Sequence, residues 1–242
     1  MKGPIENSSK CVIGFDVWGT LFDLNKIFDA ISIEASKRLR VETRKVQEGI
    51  LKAYEDAKKL RRLNPNITPQ ELLVKSRVLM ARALGVEVEV VDDVLKSAFR
   101  SVGDEVLFND VKPALSILSS QRIRMGIIGN VLFWPSEYTK LLLESTGIIE
   151  YFETLVFSDI TGSTKPDRGI FLVFAEKMGV EPSRIIYVGD NVIEDVGGAL
   201  SAGAIGVLIS RGVGEYKIIP ELNVAVIRDL KELIHVYRFF CS

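Results

Sequence analysis

The residues best suited to chemistry in this chain of 242 residues are carboxylates and lysines rather than histidines or cysteines. The chain has one histidine, His235, and two cysteines, Cys11 and Cys241. A zinc site built from Cys and His needs more of both residue types. A Ser-His-Asp catalytic triad or a Cys-His dyad would have to use His235, close to the end of the chain. Catalysis by this chain is therefore expected to use carboxylates, a lysine and a hard metal ion.

Four short segments carry suitable groups, and each follows an apolar run typical of a buried strand. They lie at 16–23, 129–130, 163–167 and 189–195. Ligands of an open α/β sheet bind beyond the carboxyl ends of its strands, so the four segments are expected to meet at one edge. Asp16 can act as a nucleophile, and Lys165 would keep it ionised. Asp190 and Asp16 together offer oxygen ligands to Mg²⁺.

Each of these residues has a simpler explanation when it is taken alone. An Asp after a strand is commonly a turn or cap residue, and Lys-Pro-Asp at 165–167 is typical of an exposed helix start. Gly-Asp at 189–190 is typical of a strand-to-helix turn. Their order and spacing at predicted strand ends together favour a functional site. Gly19 adds a turn at which backbone N–H groups can approach an anionic substrate.

The elements that must position these segments are predicted from apolar runs rich in Val and Ile. Strands buried on both faces are expected at 11–15, 124–128, 154–157, 185–188, 206–209 and 224–227. Helical patterns between most of them lie at 110–120, 135–146, 169–178 and 194–202. This alternation predicts an α/β fold with a doubly wound, Rossmann-like parallel sheet.

One stretch breaks the alternation, because helical patterns dominate from about residue 24 to residue 106. They lie at 26–39, 44–63, 69–84 and 92–102, and residues 86–91 between the last two are expected to form a loop. We therefore predict an α/β core over 1–23 and 106–242. A helical domain over 24–105 would be inserted after the first strand.

Composition restricts the partners and the location. Lys and Arg number 31 against 32 Asp and Glu, so the net charge of −1 gives no reason to expect a nucleic acid partner. The apolar runs are too short to span a bilayer, and the N-terminus is polar without an apolar signal region. Two cysteines suggest a reducing compartment, although a bridge between Cys11 and Cys241 stays open. A cytoplasmic protein is expected.

The order and spacing of the four segments resemble the motifs of the haloacid dehalogenase superfamily of hydrolases. Asp-Val-Trp-Gly-Thr-Leu-Phe-Asp at 16–23 is similar to the nucleophile loop of that superfamily. Asn130 fits the second motif, Lys-Pro-Asp at 165–167 the third, and Gly-Asp at 189–190 with Asp195 the fourth. The helical insert lies where the superfamily carries its cap domain.

The resemblance implies a role for each matching residue. Asp16 would be the nucleophile that forms a covalent aspartyl intermediate, Thr20 would orient its loop, and Lys165 would support it. The substrate, a small anionic metabolite, would be contacted by residues of the first two motifs, namely Trp18, Gly19 and Asn130.

The resemblance also implies a Mg²⁺ site. Asp16, Asp190 and the backbone carbonyl of Trp18 would be its ligands, and Asp195 would act through water or through contacts to the ligands. Because a backbone carbonyl survives any change of side chain, Trp18 can still serve in this role.

Two positions depart from the phosphatases of the superfamily. They usually have a second Asp two residues after the nucleophile, which protonates the leaving oxygen; here that residue is Trp18, which cannot transfer protons. The residue before Asn130 is usually Ser or Thr, and here it is Gly129.

Trp18 is similar to the aromatic residue of 2-haloacid dehalogenases, which need neither a metal nor a general acid because a halide leaves unprotonated. Those enzymes also use a cap arginine, for which the candidates are Arg44, Arg61 and Arg62. They lack the first acidic residue of the fourth motif, whereas this chain has Asp190. A Mg²⁺-dependent phosphatase is therefore favoured. The alternatives are a metal-independent 2-haloacid dehalogenase and a catalytically weak binding protein on the same scaffold.

Overall fold

The structure is a computed structural model that describes residues 10–212 and 214–241. The polar N-terminal segment, where the sequence indicates no signal region, lies almost wholly at 1–9 and thus outside the described residues. Within the two described ranges, no helix combines the length and the apolar character that a membrane crossing requires.

The described residues contain a single seven-stranded sheet with the order β3-β2-β1-β4-β5-β7-β6. Its strands are β1 (Val12–Phe15), β2 (Arg124–Gly129), β3 (Thr154–Phe157), β4 (Ile185–Gly189), β5 (Ile205–Ile209), β6 (Lys217–Ile219) and β7 (Val224–Ile227). All neighbouring strands are parallel except β6, which pairs antiparallel with β7 at the edge. All six predicted strands are present, and the predicted doubly wound α/β core is confirmed.

Strand β1 lies at the centre of this sheet, between β2 and β4. All four of its residues are buried, as expected for a strand that is covered on both faces. Its backbone pairing with β4 continues one residue beyond the strand, because Asp16 N donates to Val188 O at 2.8 Å. The sheet thus holds the backbone of Asp16 at the carboxyl edge.

Ten α-helices lie within the described residues. They are α1 (Leu24–Leu39), α2 (Thr43–Leu63), α3 (Pro69–Leu84), α4 (Val88–Ser101), α5 (Val111–Ser120), α6 (Ser136–Ser145), α7 (Ser158–Thr161), α8 (Arg168–Met178), α9 (Gly198–Ser201) and α10 (Leu233–Cys241). The loop predicted at 86–91 is wrong, because α4 already begins at Val88. Val91 is buried with Val94, Leu95 and Ala98 at helical spacing, and this packing outweighs the low helix propensity of valine.

The chain divides into two compact units. The sheet unit comprises the chain up to Phe22, Phe108–Gly129 and the chain from Glu150 onward. The helical unit comprises Asp23–Leu107 and Asn130–Ile149, and so includes α1 to α4 and α6. An aromatic cluster lies in the helical unit, with ring contacts among Phe28, Tyr54, Phe99, Phe133 and Trp134, and all of these rings except that of Tyr54 belong to buried residues.

Four features of the C-terminal half differ from the prediction. Residues 194–202 do not form one α-helix: a π-helical turn over Val192–Gly197 precedes the short α9. Strand β6 and helices α7 and α10 were not predicted. β6 has three partly or fully exposed residues and no apolar run of its own.

The two cysteines form a disulfide between residue 11, just before β1, and residue 241 in α10, with the Cα atoms 5.9 Å apart. The sequence leaves this bridge open, and the structure contains it. It links the first strand of the sheet unit to its last helix.

Candidate active site

The nucleophile loop follows β1 and folds back on itself. Leu21 N and Phe22 N donate to Val17 O at 2.8 and 2.9 Å, and Gly19 N donates to Phe22 O at 2.8 Å. Gly19 has φ +85°, a conformation that side-chain-bearing residues rarely adopt, and a Cβ atom there would collide with the carboxylate of Asp190. The turn therefore requires glycine on two grounds.

Asp16, which directly follows β1, and Thr20 within this loop are both buried. Thr20 Oγ1 donates to Asp16 Oδ2 at 3.3 Å. The spacing of four residues brings the hydroxyl back to the carboxylate because the loop turns tightly between them.

Lys165 joins the carboxylates of two different loops. Its side chain is only 2% exposed, and Nζ donates to Asp16 Oδ1 at 2.5 Å and to Asp195 Oδ1 at 2.7 Å. A third donor bond goes to the hydroxyl of Tyr187 at 2.8 Å. The three N–H donors of a buried ammonium group are thus matched by three acceptors, as burial of a charge demands.

Tyr187 completes this network from within β4. Its hydroxyl accepts from Lys165 and donates to Ile128 O at 2.7 Å. Burial raises the pKa of Tyr187 well above its usual value, and the charges of Asp195 and Asp16 add to that effect, so the hydroxyl keeps the proton that it donates.

Three carboxylates converge at this edge. Oxygens of Asp16, Asp190 and Asp195 all lie within 4.8 Å of one another. Opposite ligands of an octahedral Mg²⁺ lie about 4.2 Å apart, so small movements suffice for the cluster to hold this ion. Both oxygens of Asp195 already accept hydrogen bonds, from Lys165 and from Asn191 N at 2.7 and 2.9 Å. At Asp16, by contrast, Oδ2 accepts only the longer bond from Thr20, at 3.3 Å, so Asp16 and Asp190 are the better-placed ligands.

The electrostatics of the cluster favour a cation. Burial raises the pKa of Asp16 to about 8, and the charges of Asp195 and Asp190 also raise it, while Lys165 opposes them. Loss of water around the carboxyl of Asp190 raises its pKa to about 6, with a further contribution from Asp195. Burial lowers the pKa of Lys165, but the two neighbouring carboxylates outweigh it and the pKa lies well above the usual value. The lysine therefore stays charged beside carboxylates that repel one another.

The remaining predicted site residues lie as follows. Trp18 is half-buried, and its ring lies 5.6 Å from that of Phe22. Asn130 directly follows β2 and belongs to the helical unit, as do the candidate arginines; Arg44 is exposed and pairs with Glu48 at 3.2 Å. The structure thus brings Asp16, Thr20, Lys165, Asp190 and Asp195 together within the sheet unit.

The structure also explains why residue 129 is glycine rather than the serine or threonine usual in phosphatases of the superfamily. A Cβ atom at Gly129 would lie 2.8 Å from the ring of Phe157 and 3.5 Å from Val17. Serine or threonine fits only if the phenylalanine moves.

Two residues that sequence reasoning missed contact the site. Tyr187 lies in a predicted apolar strand, and a buried tyrosine hydroxyl needs a polar partner. That requirement could have indicated from the sequence that Tyr187 contacts polar residues of the site. Arg211 lies two residues beyond β5, at the same edge as the four motifs, and donates to the carbonyls of Gly19 and Thr20. Its position after a strand was the available signal.

Comparison with known proteins identifies the family. The model of the haloacid dehalogenase-like hydrolase family matches residues 12–203, which is most of the chain. The chain therefore belongs to the haloacid dehalogenase-like hydrolases, and the resemblance noted in its motifs is confirmed.

Relatives within the family include named phosphatases. Over 105 residues the chain is 34% identical to glyceraldehyde 3-phosphate phosphatase of Methanopyrus kandleri, covering 43% of this chain and 44% of that protein. Over 150 residues it is 27% identical to phosphoglycolate phosphatase of Shigella boydii, covering 60% and 58%. The matched segments thus span about half the length of these relatives.

Solved structures share the fold over nearly the whole chain. A HAD-hydrolase from Bacillus subtilis bound to magnesium is 18% identical, with a TM-score of 0.73 and coverage of 94% of this chain and 98% of that one. The L-2-haloacid dehalogenase of Xanthobacter autotrophicus is also 18% identical, with a TM-score of 0.69 and coverage of 95% and 98%. At this identity the likeness concerns the fold alone.

Proposed function

We propose that this hydrolase is a Mg²⁺-dependent phosphatase that acts on a small phosphorylated metabolite through an aspartyl-phosphate on Asp16. The observation that carries the proposal is the carboxylate cluster, in which oxygens of Asp16, Asp190 and Asp195 lie within 4.8 Å. One ammonium group, that of Lys165, cannot balance three carboxylates, so a divalent cation would relieve the remaining repulsion. Relatives named as phosphatases support the same reaction class.

In this proposal Asp16 attacks the phosphorus atom with Oδ2. The other oxygen is held by Lys165 at 2.5 Å, whereas Oδ2 has only the longer contact with Thr20, at 3.3 Å. A bond forms between Oδ2 and phosphorus while the bond to the leaving oxygen breaks. A water molecule then attacks phosphorus, Asp16 leaves as a carboxylate, and inorganic phosphate is released.

The other site residues orient and balance charge. Lys165 stays protonated and holds Asp16 in place, and Trp18, Gly19 and Asn130 contact the anionic substrate. The N–H group of Gly19 is not available for this contact, because it donates to Phe22 O within the loop. Mg²⁺, held by Asp16, Asp190 and the Trp18 carbonyl with support from Asp195, would neutralise charge on the phosphoryl oxygens. The leaving oxygen gains its proton from solvent after departure, because Trp18 cannot supply one. This requirement favours substrates with a good leaving group.

We further propose that residues 24–105 act as a cap domain that selects the substrate, with the α/β core over 1–23 and 106–242. A cytoplasmic location is part of the proposal, since small phosphorylated metabolites are found there. The disulfide between Cys11 and Cys241 does not match the reducing compartment expected from the sequence, unless the protein comes from a hyperthermophilic microbe. Intracellular disulfides persist in such microbes but are rare in mesophiles.

Phosphate release from 4-nitrophenyl phosphate tests the main proposal. We expect turnover that depends on added Mg²⁺, is lost with a chelator and is lost in Asp16→Asn. The matched control is Asp229→Asn, which changes a partly exposed carboxylate of the sheet unit outside the cluster and should leave turnover unchanged. Absence of turnover across a broad panel of phosphate esters, with a small ligand still bound, would favour the weak binding protein instead.

A second candidate, metal-independent 2-haloacid dehalogenation, is favoured by one observation, namely Trp18 in place of the acid-base residue. The same nucleophile would displace halide from carbon. Halide release from 2-chloropropionate that persists with a chelator would support it and refute the phosphatase. Trp18→Asp separates the two directly: a phosphatase should gain activity when it regains a proton donor, and a dehalogenase should lose activity.

A further inference from the structure

Arg211 connects the segment after β5 to the nucleophile loop. Its Nη1 donates to Gly19 O at 3.0 Å and its Nη2 donates to Thr20 O at 2.8 Å. The N–H groups of the loop are directed elsewhere, to Val17 O and Phe22 O. The guanidinium therefore supplies donors to two carbonyls of the same turn that brings the Thr20 hydroxyl to Asp16.

Arg211 is itself held in a single orientation. Its Nε lies 3.2 and 3.1 Å from the two oxygens of Asp110, and its Nη2 donates to Oδ1 at 3.0 Å. The guanidinium carbon lies 4.0 Å from the ring centre of Phe108. Asp110 is fixed in turn by Leu230 N, which donates to Oδ2 at 2.9 Å. A planar fork with five donors suits this combination of carboxylate, ring and carbonyls, and a lysine cannot reproduce it.

The contacts of Arg211 also join two segments of the sheet unit, one just before the chain enters the helical unit and one just after it comes back. Gly19 and Thr20 lie just before the point where the chain leaves this unit, at Phe22. Phe108 and Asp110 lie just after the point where it returns. One side chain thus fixes the exit and the return of the chain within the sheet unit.

We propose that Arg211 is a positioning residue for the nucleophile loop. It holds the carbonyls of Gly19 and Thr20, and thereby keeps the hydroxyl of Thr20 on Asp16 Oδ2 and the backbone of the turn in place for the substrate. The expected effect of Arg211 on kcat rests on the proposed phosphatase function, whereas its expected effect on the stability of the loop does not. A loop that is held in advance lowers the barrier of the chemical step more than it strengthens substrate binding.

Amide hydrogen exchange of Arg211→Lys tests the structural consequence without any assay of turnover. We expect exchange of the peptide that contains residues 17–22 to become at least about tenfold faster, while peptides from β1, β2 and β4 keep their rates. Arg228→Lys, which alters an exposed pair with Glu232, is the matched control and should not change exchange anywhere near the loop. Unchanged exchange in the loop of Arg211→Lys would overturn the proposal. If Arg211→Lys fails to fold, Asp110→Asn, which loosens the same guanidinium, takes its place with the same expectation.

Steady-state kinetics test whether Arg211 acts through Thr20. We expect kcat of Arg211→Lys to fall about 10- to 100-fold with KM within about twofold. The combination with Thr20→Val should lose much less than the product of the two single losses, because both variants disturb one contact. Losses that multiply, or an effect confined to KM, would overturn the proposal. If the wild-type protein turns over no phosphate ester, the proposed function fails and the exchange experiment still decides the role of Arg211 in the loop.

Discussion

Binding of Mg²⁺ to this site should be coupled to the release of protons. The metal-free cluster holds Asp16 with a pKa raised to about 8 by burial and Asp190 with a pKa raised to about 6 by loss of water. A metal ligand must be deprotonated, so the ion competes with protons for both groups. Affinity should therefore rise as the pH rises, until both carboxyl groups are ionised in the free protein.

The size of the effect follows from the two pKa values. At pH 8 Asp16 is about half ionised and Asp190 almost fully, whereas at pH 6 the fractions are about 1% and about 50%. The apparent dissociation constant of Mg²⁺ should thus increase about 100-fold from pH 8 to pH 6, equivalent to ~2.7 kcal/mol. At pH 7 about one proton should be released for each ion bound, nearly all of it from Asp16.

Isothermal titration calorimetry at pH 6, 7 and 8, in buffers that differ in ionisation enthalpy, measures both quantities. Asp190→Asn should weaken binding at pH 8 by about 10- to 100-fold, because it removes a ligand and a charge. Asp229→Asn is the control at a partly exposed site outside the cluster and should bind Mg²⁺ as the wild type does. A dissociation constant independent of pH, or binding without proton release at pH 7, would refute the reasoning that Asp16 and Asp190 form the metal site.

Three further predictions concern the stability of the sheet unit. Lys165→Met should lower the free energy of unfolding by ~3–5 kcal/mol at pH 8 by urea denaturation, because it leaves buried carboxylates without their cation; the loss should be smaller at pH 5, where a carboxyl group whose pKa is raised in the folded state takes up a proton. Gly129→Ser should cost ~1–3 kcal/mol by overpacking against Phe157, and adding Phe157→Leu should recover part of that loss in the same assay. Cys241→Ser should lower stability by ~2–5 kcal/mol, and a reductant should produce the same loss in the wild type but not in the variant.

Most of the sheet could be predicted from the sequence because its central strands are buried on both faces and therefore read as continuous apolar runs. The carboxyl ends of β1 and β4 also follow from those runs, and with them the meeting of Asp16 with Asp190. Strand β6 could not be predicted in this way, since it is a three-residue edge strand with one exposed and two partly exposed residues, and its pairing depends on β7. The sequence predicts that helix α4 begins at residue 92, because the valine-rich segment 86–91 lies between two helical patterns and is expected to be a loop. The helix begins at Val88 instead, and the burial of Val91 together with Val94 and Leu95 favours it.

The site shows the same division between local and long-range information. Asp16, Lys165 and Asp190 stand out because charged residues at strand ends are conspicuous. Tyr187 lies inside an apolar strand, and Arg211 follows a strand without belonging to a motif. The roles of both depend on partners that are distant along the chain, such as Ile128 and Gly19. Only the fold brings these groups together, and no spacing pattern within one segment could have predicted them.

The most direct test of the central claim is chemical trapping of the intermediate on Asp16. The protein is mixed with Mg²⁺ and a turned-over phosphate ester, quenched within one turnover, and treated with borohydride, which reduces an acyl phosphate to an alcohol. Peptide mass spectrometry should then find homoserine at position 16, and neither the protein without substrate nor Asp16→Asn should contain it. Turnover of the ester without modification at position 16, or with modification at another carboxylate, would contradict the claim that Asp16 is the nucleophile.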